Sequence, residues 1–203
     1  MAGVVIKEED IVKLKDIGVK DSKLLTKEKR EELFEKVKEV CVDYKISVVS
    51  AGEVDRALNS EGSNLNWLEA DTSTQIVNQF KVDQIIVDCP SVNVSAYKDY
   101  FFSKLDERIS SSAELIVEHK ADMNYLVVGA ASILAKVTRD REIEELKRKL
   151  NVDFGSGYLS DEKTQIFMKE NFDKKEFGFL FRKTWKPFQN LVKEKWQLKL
   201  GEF

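Results

Sequence analysis

The sequence is poor in the residues that build disulfide frameworks, stiff linkers and histidine-based active sites. Its 203 residues include two cysteines, two prolines and one histidine. Cys41 and Cys89 form no CxxC motif and are too few for a disulfide framework, which favours a reducing, cytoplasmic location. No apolar run approaches the ~18 residues of a membrane span and no signal-peptide pattern opens the chain, so we expect no membrane partner.

Several catalytic motifs are also missing. The sequence contains no GxSxG and no HExxH, and Gly155 and Gly157 belong neither to a P-loop nor to a GxGxxG motif. Nucleotide hydrolysis and dinucleotide binding therefore have no support. His119, the only histidine, has no cysteine or serine partner in the pattern. A lone histidine at the end of a strand is more often a hydrogen-bonded spacer than a ligand.

Charge is distributed unevenly along the chain. The formal net charge is −3, but residues 163–203 hold ten Lys/Arg and five Asp/Glu. A basic C-terminal face beside an acidic remainder fits a nucleic-acid surface next to a metal-binding carboxylate cluster. A solvated helical face would have the same composition.

The hydrophobic pattern predicts an α/β protein. Short apolar or alternating runs predict strands at residues 2–6, 42–50, 84–88 and 114–119. Helices are expected near residues 8–15, 26–40, 95–109 and 122–150, with further helices beginning at Ser50, Asn64, Ser160 and Pro187. Strand–helix alternation late in the chain, after an antiparallel-looking start, indicates a mixed sheet.

Two acids stand where such a sheet commonly binds ligands. Asp88 ends one apolar strand, and Asp122 follows the next strand where a long helix begins. Carboxyl ends of strands line ligand crevices in open α/β sheets, and oxygen ligands suit Mg²⁺ or Mn²⁺. The alternatives are a turn former before Pro90 for Asp88 and a helix N-cap for Asp122.

Tyr158 follows Gly157 in a glycine-flanked loop. An exposed tyrosine there could stack on a sugar or base. The ring could equally fold back onto the core. Lys23, taken alone, is an ordinary surface lysine.

Taken together, several segments resemble ribonuclease HII, the type 2 ribonuclease H family, and especially its archaeal members. They occur in the family's order and spacing: DIGVKDSKLLTKEKREELF (16–34), IIVD (85–88), EHKADMNYLVVGAASILAKVTRDREIE (118–144), FGSGYLSD (154–161) and RKTW (182–185). The block at 118–144 is the most specific of them.

The resemblance implies a ribonuclease H-like fold: a mixed five-stranded sheet with helices on both faces (residues 1–155), then a helical substrate-binding region (156–203). It implies a monomeric endonuclease that hydrolyses the RNA strand of RNA/DNA hybrids and nicks 5′ of ribonucleotides embedded in duplex DNA, using two Mn²⁺ or Mg²⁺ ions. Asp88 and Asp122 match two of the family's four metal acids. Substrate contacts are implied for Tyr158, which would pack on the deoxyribose after the ribonucleotide, and for Lys23, Arg182 and Lys183. His119 would support Asp122.

The sequence departs from the family at its beginning. The family's central first strand runs into a DEAGRG motif, which supplies the other two acids and the backbone that senses the 2′-hydroxyl. That motif does not occur in this sequence. We therefore expect a sheet with a gap, and either an enzyme whose N-terminal segment is missing from the chain or a catalytically inactive hybrid-binding protein.

Overall fold

The computed structural model of the chain describes residues 1–20 and 22–200, so that Asp21 of the DSK sequence lies outside the described part. It contains four strands: β1 (Ala2–Val5), β2 (Asp43–Ile46), β3 (Gln84–Asp88) and β4 (Glu114–Glu118). Its α-helices are α1 (Ile11–Asp16), α2 (Lys27–Val40), α3 (Ala51–Leu58), α4 (Leu65–Val77), α5 (Val94–Ser103), α6 (Glu107–Ser110), α7 (Ala121–Asn124), α8 (Leu126–Leu150), α9 (Glu162–Asn171) and α10 (Lys186–Leu200).

The strands form one antiparallel and one parallel pair, which confirms the predicted mixed α/β architecture. β1 pairs with β2 in antiparallel register, with Ala2 opposite Ile46. β3 pairs with β4 in parallel register, with Asp88 opposite Glu118. No backbone ladder joins the two pairs within residues 1–20 and 22–200. Four strands are thus described where the resemblance implied five, as expected for a sheet with a gap.

The first hydrophobic cluster packs against the β1–β2 pair. Leu14 of α1, Leu33 of α2 and Ile133 of α8 are fully buried in it, and Val4 packs against it from β1. Apolar and polar side chains alternate along residues 42–50, but the apolar ones do not form a buried face. Within that stretch only Ile46 packs against the cluster, while Val42 and Val48 remain 59% and 57% exposed.

The second cluster surrounds the β3–β4 pair. Tyr97 and Phe101 of α5 are buried against strand residues Ile85 and Leu115. Cys89, directly after β3, is also buried in this cluster. These contacts fix the two strands whose carboxyl ends carry the predicted acids.

Two predicted helices are interrupted. The predicted helix at 95–109 divides into α5 and α6, because the side chain of Asn78 forms hydrogen bonds with the backbone between them. It accepts from Asp106 N at 3.0 Å and donates to the carbonyl of Lys104 at 3.1 Å. The predicted helix at 122–150 divides at Tyr125, whose backbone is extended (φ −124°, ψ 120°).

The chain forms two compact units: residues 1–48 with 66–139, and residues 49–65 with 140–203. The second unit has its own core, in which Met168, Phe181 and Phe188 are buried. The predicted division at residue 155 remains a prediction about function. No helix in the described part of the chain is long and apolar enough to cross a membrane.

Candidate metal and nucleic-acid site

Asp88 lies at the carboxyl end of β3 because the apolar run from Ile85 places its last side chain at the strand exit. Its side chain is exposed. The Oδ1 atom accepts a hydrogen bond from the backbone N–H of Ala121 at 3.1 Å. Asp88 therefore holds the residue that precedes Asp122.

Asp122 lies in the first turn of α7, and its side chain is only 5% exposed. The helix begins after Lys120, whose backbone is left-handed (φ 58°), and this N-cap residue makes no side-chain cap. Asp122 is therefore not the N-cap that the alternative interpretation required. Its Oδ1 atom is buried and has no hydrogen-bond partner among the described residues.

Lys23 lies beside this carboxylate. Its Nζ atom is 3.3 Å from Asp122 Oδ2, although the lysine side chain is 64% exposed. The turn that carries it is fixed by Arg30, whose Nη1 donates to the carbonyls of Ser22 at 3.4 Å and Leu25 at 2.7 Å. One oxygen of Asp122 thus faces a cation while the other has no described partner.

Glu118 holds the other side of the α7 turn, a role that the sequence analysis missed. Its Oε1 accepts from Asn124 Nδ2 at 2.7 Å and its Oε2 lies 3.4 Å from the Tyr125 hydroxyl. Burial, followed by the charge of Glu118, raises the pKa of Tyr125. These contacts join Glu118 to residues six and seven positions later in the chain. In the sequence, their only signal was that Glu118 begins the 118–144 block.

His119 contacts the protein backbone. Its Nδ1 atom is 3.0 Å from the carbonyl oxygen of Cys89. Cys89 N in turn donates to the carbonyl of Glu118 at 2.9 Å. The histidine therefore ties the two strand exits together. Its predicted support of Asp122 remains a prediction.

The buried, unpartnered Oδ1 of Asp122 is the atom at which a divalent cation would fit. A buried carboxylate oxygen without a partner is costly, and a cation would satisfy it. Mg²⁺ is commonly bound by one or two carboxylates together with waters and substrate phosphates. No group of three or more His, Cys, Asp or Glu side chains that could hold a metal occurs in residues 1–20 and 22–200. The two aspartates alone would leave most of the coordination to water and substrate.

Tyr158, in the second compact unit, lies on a tightly bonded loop, and its side chain is 48% exposed. Gly155 and Gly157 have positive φ values of 77° and 74°. Ser156 N donates to Asp161 Oδ2 at 2.5 Å, and Gly157 N donates to Thr164 Oγ1 at 2.9 Å. The structure therefore favours the exposed position for the tyrosine over the core.

Asp161, and not the predicted Ser160, is the N-cap of α9. Its Oδ1 accepts from Lys163 N at 3.0 Å. The hydrogen bonds from Ser156 lower the pKa of Asp161 below its usual range. A β-carbon on Gly155 would lie only 2.5 Å from Asp161 Oδ2. Asp161 thus caps the helix and anchors the Tyr158 loop.

Arg182 and Lys183 lie on the segment before α10. Lys183 is exposed, whereas Arg182 is half-buried, and its Nε atom is buried without a hydrogen-bond partner in the described part of the chain. The backbone N–H groups of Lys183 and Thr184 donate to Asp55 of α3, which also belongs to the second compact unit. The structure thus places Asp88, Asp122 and Lys23 in one unit and the other three predicted substrate residues in the second.

Comparisons with known proteins agree with this fold. A family model described as Ribonuclease HII matches residues 1–188. Ribonuclease HII of Methanococcus maripaludis (strain C6) is 42% identical over 199 residues, which cover 96% of this chain and 80% of the relative. Ribonuclease HII of Pyrococcus furiosus is 40% identical over 208 residues, covering 100% of this chain and 90% of the relative.

Solved structures give the same result. Ribonuclease H2 from Pyrococcus horikoshii OT3 superposes with a TM-score of 0.79 at 36% identity, covering 95% of this chain and 97% of that one. Ribonuclease HII from Archaeoglobus fulgidus, solved as a complex with PCNA, gives a TM-score of 0.79 at 35% identity, covering 94% and 87%. The fold defines a ribonuclease H-like endoribonuclease. Within that class, the family match and the curated relatives show that this chain belongs to the ribonuclease HII family.

Proposed function

We propose that Asp88 and Asp122 hold a divalent cation, Mn²⁺ or Mg²⁺, and that the protein cleaves on the 5′ side of ribonucleotides embedded in duplex DNA. The ribonuclease H family acts on RNA/DNA hybrids and depends on divalent metal ions. The observation that carries the proposal is the buried, unpartnered Oδ1 of Asp122 beside the Asp88-held turn. A bound cation supplies charge stabilisation at a reacting phosphate.

The chain's own residues position that chemistry. Asp88 fixes the Ala121 N–H and so sets where the α7 turn begins. Glu118 holds Asn124 in the same turn. Asp122 is thereby held between two fixed points, and a carboxylate in a fixed position loses little entropy on binding a cation.

Lys23 is a candidate for a contact to the phosphate next to the cleaved bond. It already lies against Asp122, and its ammonium remains largely exposed to an incoming anion. Lysine serves as a point charge for phosphates. In this proposal the lysine neutralises Asp122 in the free protein and contacts phosphate in the complex.

Tyr158 is proposed to recognise the junction between ribonucleotide and deoxyribonucleotide by packing on the deoxyribose. Half of its side chain is exposed on a loop with two fixed glycine conformations, which limits its freedom before binding. Tyr158→Ala should weaken cleavage of a duplex with one embedded ribonucleotide by ~1–3 kcal/mol. The Tyr158→Ala variant should bind Mn²⁺ as tightly as the parent protein does. Full activity on this substrate would return Tyr158 to a structural role.

The alternative, a catalytically inactive hybrid-binding protein, would bind the same duplex without cutting it. Membership of an enzyme family and the unpartnered carboxylate oxygen both favour the enzyme.

We further propose a monomeric, cytoplasmic protein. Light scattering on the hybrid-bound chain would test the monomer.

A further inference from the structure

Asp55 makes an unusually complete set of hydrogen bonds to a distant segment of its own compact unit. Its Oδ2 accepts from Lys183 N at 2.7 Å. Its Oδ1 accepts from Thr184 N at 2.9 Å and from Thr184 Oγ1 at 2.6 Å. The residues joined are 128 and 129 positions apart in sequence. One carboxylate therefore fixes the chain directly after Arg182.

The carboxylate is ionised in this setting. Burial opposes its charge, but the hydrogen bonds from Thr184 and Lys183, together with the nearby charge of Arg182, outweigh burial and lower the pKa of Asp55. Backbone N–H groups bonded to a carboxylate form charge-assisted hydrogen bonds, which are about twice as strong as neutral ones. The fixed segment thus carries two cationic side chains on a backbone with little freedom.

Asp55 places a negative charge beside a segment that is proposed to bind nucleic acid. Residues 163–203 carry an excess of basic side chains, and a carboxylate among them repels the phosphates of a nucleic acid. We infer that Asp55 is a positioning residue that holds Arg182 and Lys183 in the orientation that binds successive phosphates of the substrate. This inference rests on the proposed nucleic-acid function.

Net charge and positioning predict opposite effects of removing Asp55 on the affinity for nucleic acid. Removing an acid near a polyanion should tighten binding if only net charge matters. If Asp55 positions Arg182 and Lys183, its removal should weaken binding, because the two cations would no longer have a fixed spacing. The sign of the change therefore separates the two explanations.

The experiment measures the affinity of residues 1–203 for a fluorescent RNA/DNA hybrid without divalent metal, across a range of salt concentrations. We expect Asp55→Ala, which removes all three hydrogen bonds to residues 183 and 184, to raise the Kd about tenfold at low salt, or ~1.4 kcal/mol of binding free energy. We also expect the slope of log K against log salt to become shallower by ~0.9 for each phosphate that the protein no longer neutralises. Glu170→Ala removes an equal, exposed charge from α9 of the same unit. Because it changes charge without removing a hydrogen bond to residues 183 and 184, it should neither raise the Kd nor make the salt slope shallower.

Further variants separate positioning from folding. Thr184→Val removes one of the three hydrogen bonds and should shift the Kd in the same direction by a smaller factor. In an Arg182→Ala, Lys183→Ala background, adding Asp55→Ala should have no further effect, because the cations it positions are absent. Hydrogen exchange at the amides of Lys183 and Thr184 should accelerate in Asp55→Ala while the α9 amides stay protected.

Two results would overturn the inference. One is a folded Asp55→Ala that binds the hybrid as tightly as the parent chain, or more tightly, while Arg182→Ala still weakens binding. The other is a parent chain that binds no hybrid, or whose binding is indifferent to Arg182 and Lys183. The second result removes the proposed substrate contacts themselves, so the two failures are distinguishable.

Discussion

Replacing Asp122 with asparagine should stabilise the metal-free protein while abolishing its response to metal. The side chain is 5% exposed, and its Oδ1 has no partner among the described residues. Leaving a buried polar group unsatisfied costs ~1–3 kcal/mol, and more when the group is charged. The asparagine keeps the shape and removes the charge.

The change also breaks the ion pair with Lys23, which offsets part of the gain. Because the lysine side chain is 64% exposed, that ion pair contributes only ~0–1 kcal/mol. The expected net gain is ~1 kcal/mol in the metal-free state. For a chain of this size, that gain raises the Tm by ~2–4 °C.

Metal should reverse the order of stability. A cation at 100 times its Kd stabilises the parent protein by ~2.7 kcal/mol, whereas Asp122→Asn lacks one of the two proposed ligands. The assay is thermal unfolding with and without Mn²⁺. The exposed Asp88→Asn, matched in chemistry, should leave the metal-free Tm unchanged and weaken the Mn²⁺ response. A metal-free Asp122→Asn that melts below the parent and keeps the full Mn²⁺ shift would refute the reasoning.

Three further results are expected. Asp88→Asn should lose ~10²–10³ in cleavage rate, as for one important transition-state interaction, and far more than His119→Ala; the reverse order in a single-turnover assay would overturn the assignment. Gly155→Ala should cost ~1–2 kcal/mol or more, because its φ of +77° disfavours a side chain and the new β-carbon would meet Asp161; an unchanged urea midpoint would contradict this. Because its folded pKa is depressed, Asp55 should contribute stability that is fully present above its ordinary pKa of 3.8 and lost as the pH falls through the lower folded value; an identical acid-unfolding curve for Asp55→Asn would exclude it.

Local patterns in the sequence were sufficient for several elements. The apolar run that ends at Asp88 predicted β3 with its observed bounds, since Pro90 follows closely. The capping box from Ser50 to Glu53 is present with both reciprocal hydrogen bonds. Thr26 accepts from Lys29 N at 3.2 Å and begins α2 as predicted. Each of these signals lies within a few residues of its partner.

The contacts that the sequence did not predict join distant residues. Asn78 interrupts the predicted helix at 95–109 by bonding to backbone 26 and 28 residues away. Asp55 bonds to Thr184 across 129 residues. No period or cap pattern identifies such partners, because they become neighbours only after folding. The sequence allowed Asp88 and Asp122 to be matched to a metal site. For the same reason, it did not predict that Asp88 is exposed and Asp122 is buried.

These residues are proposed to belong to a ribonuclease that cuts at embedded ribonucleotides. The most direct measurement is cleavage of a labelled DNA duplex with one ribonucleotide, with Mg²⁺ and with Mn²⁺. Residues 1–203 would be compared with a form extended by a strand carrying DEAGRG, and with Asp122→Asn in that form. We predict a nick on the 5′ side of the ribonucleotide, leaving 3′-hydroxyl and 5′-phosphate ends, from the extended form and none from its Asp122→Asn variant. No nick there with either metal would contradict the account, and metal-dependent cleavage by residues 1–203 would show that other acids complete the site.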